Sequence, residues 1–554
     1  MTLYAIDTET TGLSSFHGDR PFLCGLYDGE NYIITDDWNK IQELFDDKNN
    51  EFILANAKFD LHMFNSVGIV YDNIVLYDVI LAASLLDENR KSIALKQLTR
   101  DYLGHTTDSE TELKEQLKAV DNRFDKVDRD LLIKYLKDDV KYTLELFHLF
   151  KPQLEEQNLW DLFMMENQLC KVLVDMEKEG ILVDKNKINS TTKYLENKLK
   201  FVVKELSAKF PNVEYTSNKQ LGEYLISQGI AVKYTFKGAI GVEGDYLKEY
   251  NHPICELVLE YRKLDKLLTT YCNGFSKLVD KDWVLHPNII SFKTVTGRFS
   301  CSEPNIQNLP KPVEENPYSI LIRELLIPKK DFIVVSMDYS QIEYRIAADY
   351  AGDDELMQAI ADGKDVHEFQ AKRVFKKDKV TKKERSDAKG LNFAILYGAG
   401  IKRISNMLGI SETEAKTLRQ QFDKENPKLT ALNALIKRTF NNRSYIFNKY
   451  GRRYRIPKDK QYKALNYLCQ GTGTGDMMKD VMIRTHAFLK DKKSRLIMNI
   501  HDELIFNVHK DEIKIINNLK DIMQDFNDRF KVKIEVSIAW SDENWAKLKE
   551  EVIW

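Results

Sequence analysis

The amino-acid sequence predicts a multidomain chain that combines α/β and α+β architecture. Three observations carry this. The length, 554 residues, exceeds what one hydrophobic core holds, so roughly two to four domains are expected. Residues 1 to about 150 alternate short apolar runs with helix-like patterns, as a mixed sheet flanked by helices does. Two strand-rich sections, about 281 to 350 and 440 to 554, flank a helical block, so they can form one sheet split in sequence.

Taken in order, Leu3 to Ile6 and Phe52 to Ala55 read as strands, and Asp78 to Leu86 and Leu131 to Phe150 as helices. From about 160 to 280 the pattern is helical: Leu162 to Lys178, Ile188 to Phe210 and Pro253 to Val279 carry apolar residues at three- and four-residue spacing. Strands and loops return between 281 and 350, punctuated by Pro304, Pro310, Pro312 and Pro317. A helical block runs from Asp353 to about Arg438, and mixed strands and helices follow. Among these, NIHDELIF (Asn499 to Phe506) predicts an apolar hairpin with His501, Asp502 and Glu503 at its tip.

The bulk composition is that of a globular protein, 43% apolar and 30% charged with a net charge of −3, which excludes a chain that is basic throughout but not local basic patches. Six cysteines without a CxxC pair argue against a zinc site or a disulfide framework and suit a reducing compartment. The opening MTLYAIDTETTG lacks the basic and apolar regions of a secretory signal, and no apolar run approaches the roughly 18 residues of a membrane span. A cytoplasmic protein without membrane association is expected.

The first chemical signal is acidic. In AIDTETTG, Asp7 and Glu9 lie two apart at a strand end, so both point to one side. A lone pair of this kind is more often a polar turn. However, NAKFD adds Asn56 and Asp60, and YLKDD places Tyr135 and Asp139 four apart on one helix face, with Asp138 pointing elsewhere. Carboxylates that converge repel one another unless divalent cations neutralise them, and oxygen-rich sites suit Mg²⁺ or Mn²⁺. The ordered set Asp7, Glu9, Asp60 and Asp139, with Tyr135, resembles the DEDD exonuclease superfamily in its tyrosine subtype.

The second signal lies in FIVVSMDYSQIEYRIAADYAG. Phe332 to Met337 reads as a buried strand with Asp338 at its carboxyl end, and Ser340 and Glu343 have the spacing of a helix capping box. In RSDAKGLNFAILYGAG, Arg385, Lys389, Phe393 and Tyr397 recur every four residues, each step about 400° of rotation, so they form one drifting stripe that Gly398 and Gly400 end. Two cations and two rings on one stripe suit a nucleoside triphosphate, the cations for phosphate and the rings for sugar and base. Lys372, Arg373, Lys382, Lys383, Lys402 and Arg403 make the surroundings basic.

DYSQIEYR resembles motif A of the family A DNA polymerases, HDE at 501 to 503 their motif C, and the cationic stripe their basic fingers helix. TGRFSCSEPNIQNLP (296 to 310) resembles the family's primer-template segment, HPICELVLEYRKLDKLLTTY (252 to 271) its thumb helices, Asp365-Val366-His367 its DxH, and SDENWAK its terminal pattern. The resemblance implies a ribonuclease H-like exonuclease domain followed by a right-hand polymerase domain with palm, fingers and thumb. The expected division is exonuclease 1–155, thumb and connecting helices 156–290, palm 291–350, fingers 351–440 and the rest of the palm 441–554.

It further implies template-directed addition of deoxynucleotides by a two-metal mechanism, with two Mg²⁺ ions per active site (Mn²⁺ as the alternative) and 3′→5′ proofreading. Asp338, Asp502 and Tyr339 would ligate the polymerase metals, and Asp7, Glu9, Asp60 and Asp139 those of the exonuclease. Arg385, Lys389 and His367 would bind the triphosphate, with Lys389 also protonating pyrophosphate. Phe393, Tyr397 and Gln341 would line the nucleotide site, and Glu343 would crowd the sugar 2′ position. Arg298, Gln307, Asn308, Gln470 and His501 would contact DNA, and Glu503, sent to a different side from Asp502 by strand alternation, would assist near the primer end. The partners implied are primer-template DNA and dNTPs, with a helicase, primase or single-strand-binding protein as candidates, and the chain is expected to act as a monomer. The absence of a preceding 5′-nuclease domain and of a large thumb insertion points to phage DNA replication. The alternatives are a bacterial repair polymerase, a turnover exonuclease with a DNA-binding C-terminal module, and a non-catalytic scaffold.

Four departures from the family pattern stand out. Cys301 replaces a usual serine and Tyr344 a usual leucine, Tyr462 stands where many members have an arginine, and GTGTGD after Gln470 is one residue longer than usual.

Overall fold

The computed structural model describes residues 1–105, 108–235, 238–310 and 317–550, with side chains omitted at 108–110. Pro312, one of the expected loop punctuators, lies outside the described residues.

The N-terminal domain is built on a five-stranded mixed sheet of β1 (Thr2–Thr10), β2 (Pro21–Tyr27), β3 (Tyr32–Thr35), β4 (Asn50–Leu54) and β5 (Val75–Asp78) in the order β3-β2-β1-β4-β5. β1 is antiparallel to β2 and parallel to β4, which accounts for the alternation of strand and helix in the sequence. Helix α1 (Ala57–Ser66) follows β4, and the long helix α2 (Arg129–Glu156) crosses the sheet. Opposite Asp7 on β1 the sheet carries Gly25, where an added Cβ would stand 2.6 Å from Leu136 of α2. The missing side chain lets α2 lie close against the strand face that carries Asp7, and Lys96 is shared between Asp139 of α2 and Asp7.

Helix α3 (Trp160–Glu179) joins this domain to the rest. Leu162 and Phe163 pack into the core on one face of the first sheet, Cys170 and Val174 into that on the other, and Leu169, Val172, Leu173 and Met176 into the large core of the second module. One helix therefore ties three cores together. The arm that follows contains α4 (Lys185–Lys209) and α5 (Pro253–Lys266), with a small core of its own around Leu221, Leu247, Ile254 and Val258.

The second module confirms the split sheet. β6 (Phe332–Tyr339) pairs antiparallel with β8 (Glu503–His509) on one side and β9 (Val536–Ser541) on the other, and β7 (Arg495–Ile500) closes the edge beside β8. Between β6 and β7 the chain forms α6 (Ile342–Ala351) and the helical block, which includes α7 (Val366–Phe375) and α8 (Lys382–Leu396). The GTGTGD segment, Gly471–Asp476, winds as a π-helical turn between two α-helices. Among the described residues no helix is long and apolar enough to cross a membrane.

Candidate active sites

The first site forms where β1, α1 and α2 meet. Glu9, Asp60 and Asp139 are buried and Asp7 is half-buried. Thr8 Oγ1 donates to Asp60 Oδ1 at 2.6 Å. Burial pushes Asp7 up to about 6, with Lys96 opposing, and raises Glu9 and Asp60 well above the ordinary carboxyl range, the charge of Asp7 adding to both. Glu9 Oε1 is buried without a hydrogen-bond partner. Clustered carboxyl groups whose charge burial disfavours, one with an orphaned oxygen, fit a divalent cation. Among the described residues, though, no three acidic, His or Cys side chains stand in ready ligand geometry.

One residue at this site is signalled by no motif. The ammonium of Lys96 is ion-paired with Asp139 and lies 4.0 Å from the centroid of the Tyr135 ring. It is 43 positions from Asp139 in sequence and sits on a short helix with no pattern of its own, so only the fold reveals it.

The second site lies at the carboxyl end of β6. The backbone N–H of Tyr339 donates to the carbonyl of Asp502 at 3.0 Å, which brings Asp338 and Asp502 together across 164 positions of sequence. His501 and Asp502 form the two-residue turn between the paired Ile500 and Glu503, and His501 takes the left-handed backbone (φ 58°) that such turns demand. Burial raises the Asp502 carboxyl, with Arg298 opposing. The phenol of Tyr339 is buried and donates to Met523 O at 2.7 Å.

Glu503 pairs directly with Asp338 and accepts a hydrogen bond from Ser336 Oγ, so it shares a sheet face with Asp338. Its neighbours, Ser336 and Arg323, differ from the Arg298, Glu343 and His501 that surround Asp502.

Glu343 is the hub of the site. Its carboxylate receives Arg298 Nη2 at 2.6 Å, Tyr397 Oη at 2.9 Å and Gln470 Nε2 at 3.2 Å, groups from three separate segments. The capping box with Ser340 does not form. Gln341, exposed and left-handed at φ 52°, takes the N-cap position, and the helix starts at Ile342. Arg345, nearly buried, fixes the turn behind Asp338 by donating to Ser340 O at 2.7 Å and Lys533 O at 2.6 Å and pairing with Glu535 at 2.6 Å. Gln307 Nε2 reaches Asn499 of the hairpin at 3.4 Å, while Asn308 and His501 are exposed beside it.

On α8, Lys389 is exposed, Phe393 and Tyr397 stack with centroids 6.3 Å apart, and Gly398 turns the chain at φ +68° where an added Cβ would strike the carbonyl of Tyr462. Arg385 is held by Asp365, the N-cap of α7, at 2.5 Å.

His367 departs from expectation. It is 3% exposed, packs beside Phe393, and is pushed down to about 4 by burial and then by Lys389, so it stands neutral and covered rather than facing a triphosphate. The unfolded chain takes up a proton near pH 6.5 and the folded chain only near 4. Stability is therefore full above about 6.5 and is lost as pH falls toward 4, by about 3 kcal/mol at most from this group. His367→Gln should remove that part of the loss, seen as a smaller drop in Tm between pH 7 and 4.5.

Behind the second site, Arg452 binds Asp476 at 2.7 Å and is also paired with Glu166, which holds Lys479 at 2.5 Å, an entirely buried network between α3 and the second module.

Residues 1–155 match the family described as 3′-5′ exonuclease, and residues 185–547 match DNA polymerase family A. DNA polymerase I of Caldicellulosiruptor bescii is 29% identical over 495 residues, covering 85% of this chain and 55% of the relative. DNA polymerase I of Helicobacter pylori strain J99 is 30% identical over 494 residues, covering 86% and 53%. The chain thus spans about half the length of these relatives. Among solved structures, the polymerase domain of Pol1 from M. smegmatis, in complex with DNA primer-template and dNTP, shares the fold with a TM-score of 0.84 at 23% identity, covering 98% of this chain and 95% of that one. With the acids, the hairpin and the stripe of α8 in place and a family match over most of its length, the chain belongs to DNA polymerase family A.

Proposed function

We propose that this chain adds deoxynucleotides to a primer 3′ end under the direction of a template, and removes 3′ nucleotides with the exonuclease site of its N-terminal domain. The observation that carries the reading is the backbone hydrogen bond by which Asp338 and Asp502 meet beside the Glu343 hub.

Asp338, Asp502 and the carbonyl of Tyr339 would hold Mg²⁺, or Mn²⁺ in its place, and Asp7, Glu9, Asp60 and Asp139 would do so in the exonuclease. When bound, such ions activate a hydroxyl or water and stabilise the departing oxygen of a phosphodiester. The protein's own side chains position the reactants. Lys389 and Arg385 would take the triphosphate, Arg385 exchanging Asp365 for phosphate, and Lys389 would supply a proton to the pyrophosphate. Arg298 and Gln470 would meet the minor-groove acceptors that all base pairs share, which tests pair geometry without reading sequence. Gln307, Asn308 and His501 would hold the primer-template beside the hairpin. The structural neighbour solved with primer-template and dNTP supports this choice of ligands. The relatives named above are bacterial DNA polymerases I, the setting that stands as the alternative to phage replication.

A labelled primer annealed to a longer template tests the proposal. Extension is expected with four dNTPs and Mg²⁺, and stepwise 3′ shortening without dNTPs; absence of extension would overturn it.

Phe393 sharpens the prediction. Its ring faces Tyr397 without a hydrogen-bonding group, so a dideoxynucleotide that lacks its 3′-hydroxyl gains no substitute contact. Poor dideoxynucleotide use is expected, and Phe393→Tyr, which adds a phenol, should improve the ratio of dideoxy to deoxy incorporation by at least about tenfold, the effect of one hydrogen bond of roughly 1.5 kcal/mol. Equal use by the wild-type protein would contradict this.

A further inference from the structure

Beneath the exonuclease acids lies a junction that neither site uses. Helix α1 carries Asp60 on one face. Lys58 and His62, two residues to either side and four apart, share the opposite face. Both close on one carboxylate, Glu177, near the end of α3: Lys58 Nζ at 2.5 Å from Oε1 and His62 Nε2 at 2.7 Å from Oε2. Glu177 is only 4% exposed and also accepts the backbone N–H of Ile289 at 2.6 Å. Lys58 donates in addition to Asn288 Oδ1 at 2.6 Å and Ile289 O at 2.7 Å. The carbonyl of Glu177 meets His286 Nδ1 at 2.7 Å, and the other nitrogen of that ring faces Asp280 at 3.3 Å. Phe16, from the loop after Asp7 and Glu9, stacks on His286 with centroids 3.8 Å apart and packs edge-on against His62.

The contacts of Lys58 and His62 with Glu177, of Lys58 with Asn288 and Ile289, and of Phe16 with His286 cross between the exonuclease domain and the segment from α3 to Ile289. The helix that presents Asp60 and the loop that follows Glu9 are thus fixed from below by groups outside the exonuclease domain. A buried carboxylate that receives two side-chain donors and one backbone donor is fully satisfied, which makes the arrangement stiff. Removing its charge deprives the half-buried ammonium of Lys58 of its anionic partner, which loosens the hold on the helix.

We propose that Glu177 is a positioning residue for 3′→5′ hydrolysis: by clamping Lys58 and His62 it sets the placement of α1, and so of Asp60, from the polymerase side of the chain. This rests on the exonuclease reading for its activity but not for its geometry, and the experiment separates the two.

In the full-length chain, Glu177→Gln, Lys58→Met and the double variant are compared with wild type by amide hydrogen exchange over residues 57–66 and 332–339, by single-turnover hydrolysis of a single-stranded oligonucleotide in Mg²⁺, and by extension of a matched primer. Glu177→Gln should speed exchange in 57–66 and leave 332–339 unchanged. It should slow the hydrolysis step by about 10- to 100-fold, the range typical when a residue that orients a ligand is lost, with apparent substrate affinity within about twofold. Extension should stay within about twofold of wild type. The double variant should hydrolyse no more slowly than Glu177→Gln alone, because the two side chains act as one unit. Unchanged exchange in 57–66, or equal loss of hydrolysis and extension in protein normalised for folded fraction, would overturn the proposal. If the wild-type chain hydrolyses nothing, the exonuclease reading falls, while the exchange result still decides whether Glu177 holds α1.

Discussion

Asp502→Ala abolishes primer extension and leaves 3′ hydrolysis intact, and Asp7→Ala does the reverse; this double separation is the largest effect expected of the chain. Asp502 sits in the turn whose carbonyl accepts the N–H of Tyr339, so its carboxylate is carried by the same hydrogen-bonded pair that fixes Asp338. Asp7 lies on a different sheet, under α2, and its carboxyl is raised by burial with Glu9 and Asp60 as neighbours. Removing an acid that holds catalytic charge typically costs several orders of magnitude, at least about 10³-fold here, since preorganised charge is the main catalytic term in phosphoryl transfer. Both variants should fold: the turn at 501–502 is closed by the pairing of Ile500 with Glu503, which Asp502→Ala leaves in place, and losing Asp7 relieves repulsion among buried acids. Rates from a labelled primer, with and without dNTPs, check the result. Extension by Asp502→Ala would remove this hairpin from the polymerase site.

Much of this was legible from sequence because its signals are periodic or terminal. Two residues on one strand face, two residues four apart on a helix, and an acid at the end of an apolar run each follow from backbone geometry alone, and these locate Asp7 and Glu9, Tyr135 and Asp139, and Asp338. The split sheet followed from strand-rich sections on either side of a helical block. What stayed hidden depends on long-range contact or on which of two local options wins. Lys96, Glu177 and Arg452 carry no motif, and their partners lie 43, 119 and 286 positions away. His367 lies in a motif that suggests phosphate, yet its burial, which pattern cannot report, leaves it neutral.

Glu343 shows such a choice settled by packing. Ser340 and Glu343 satisfy the spacing of a capping box, worth about 1 kcal/mol, but the chain gives it up. Three donors meet the carboxylate instead, one of them a cation that is itself only partly exposed. Glu343→Ala should therefore do two things at once. It leaves Arg298 and Tyr397 without their acceptor, which costs about 2 to 5 kcal/mol at a largely desolvated charge pair and should lower kcat/KM for dNTPs by about 10²-fold or more. It also opens the space beside the sugar, so selection against ribonucleotides should weaken by more than the loss for dNTPs. The ratio of kcat/KM for dNTP to that for the matching rNTP, measured for wild type, Glu343→Ala and Glu343→Gln, separates the effects. Glu343→Gln keeps the bulk and can still accept one hydrogen bond, so it should retain discrimination while losing dNTP efficiency. If Glu343→Ala discriminates as well as wild type, the carboxylate serves only to hold Arg298, Tyr397 and Gln470 in place, and the exclusion of ribose lies elsewhere in the site.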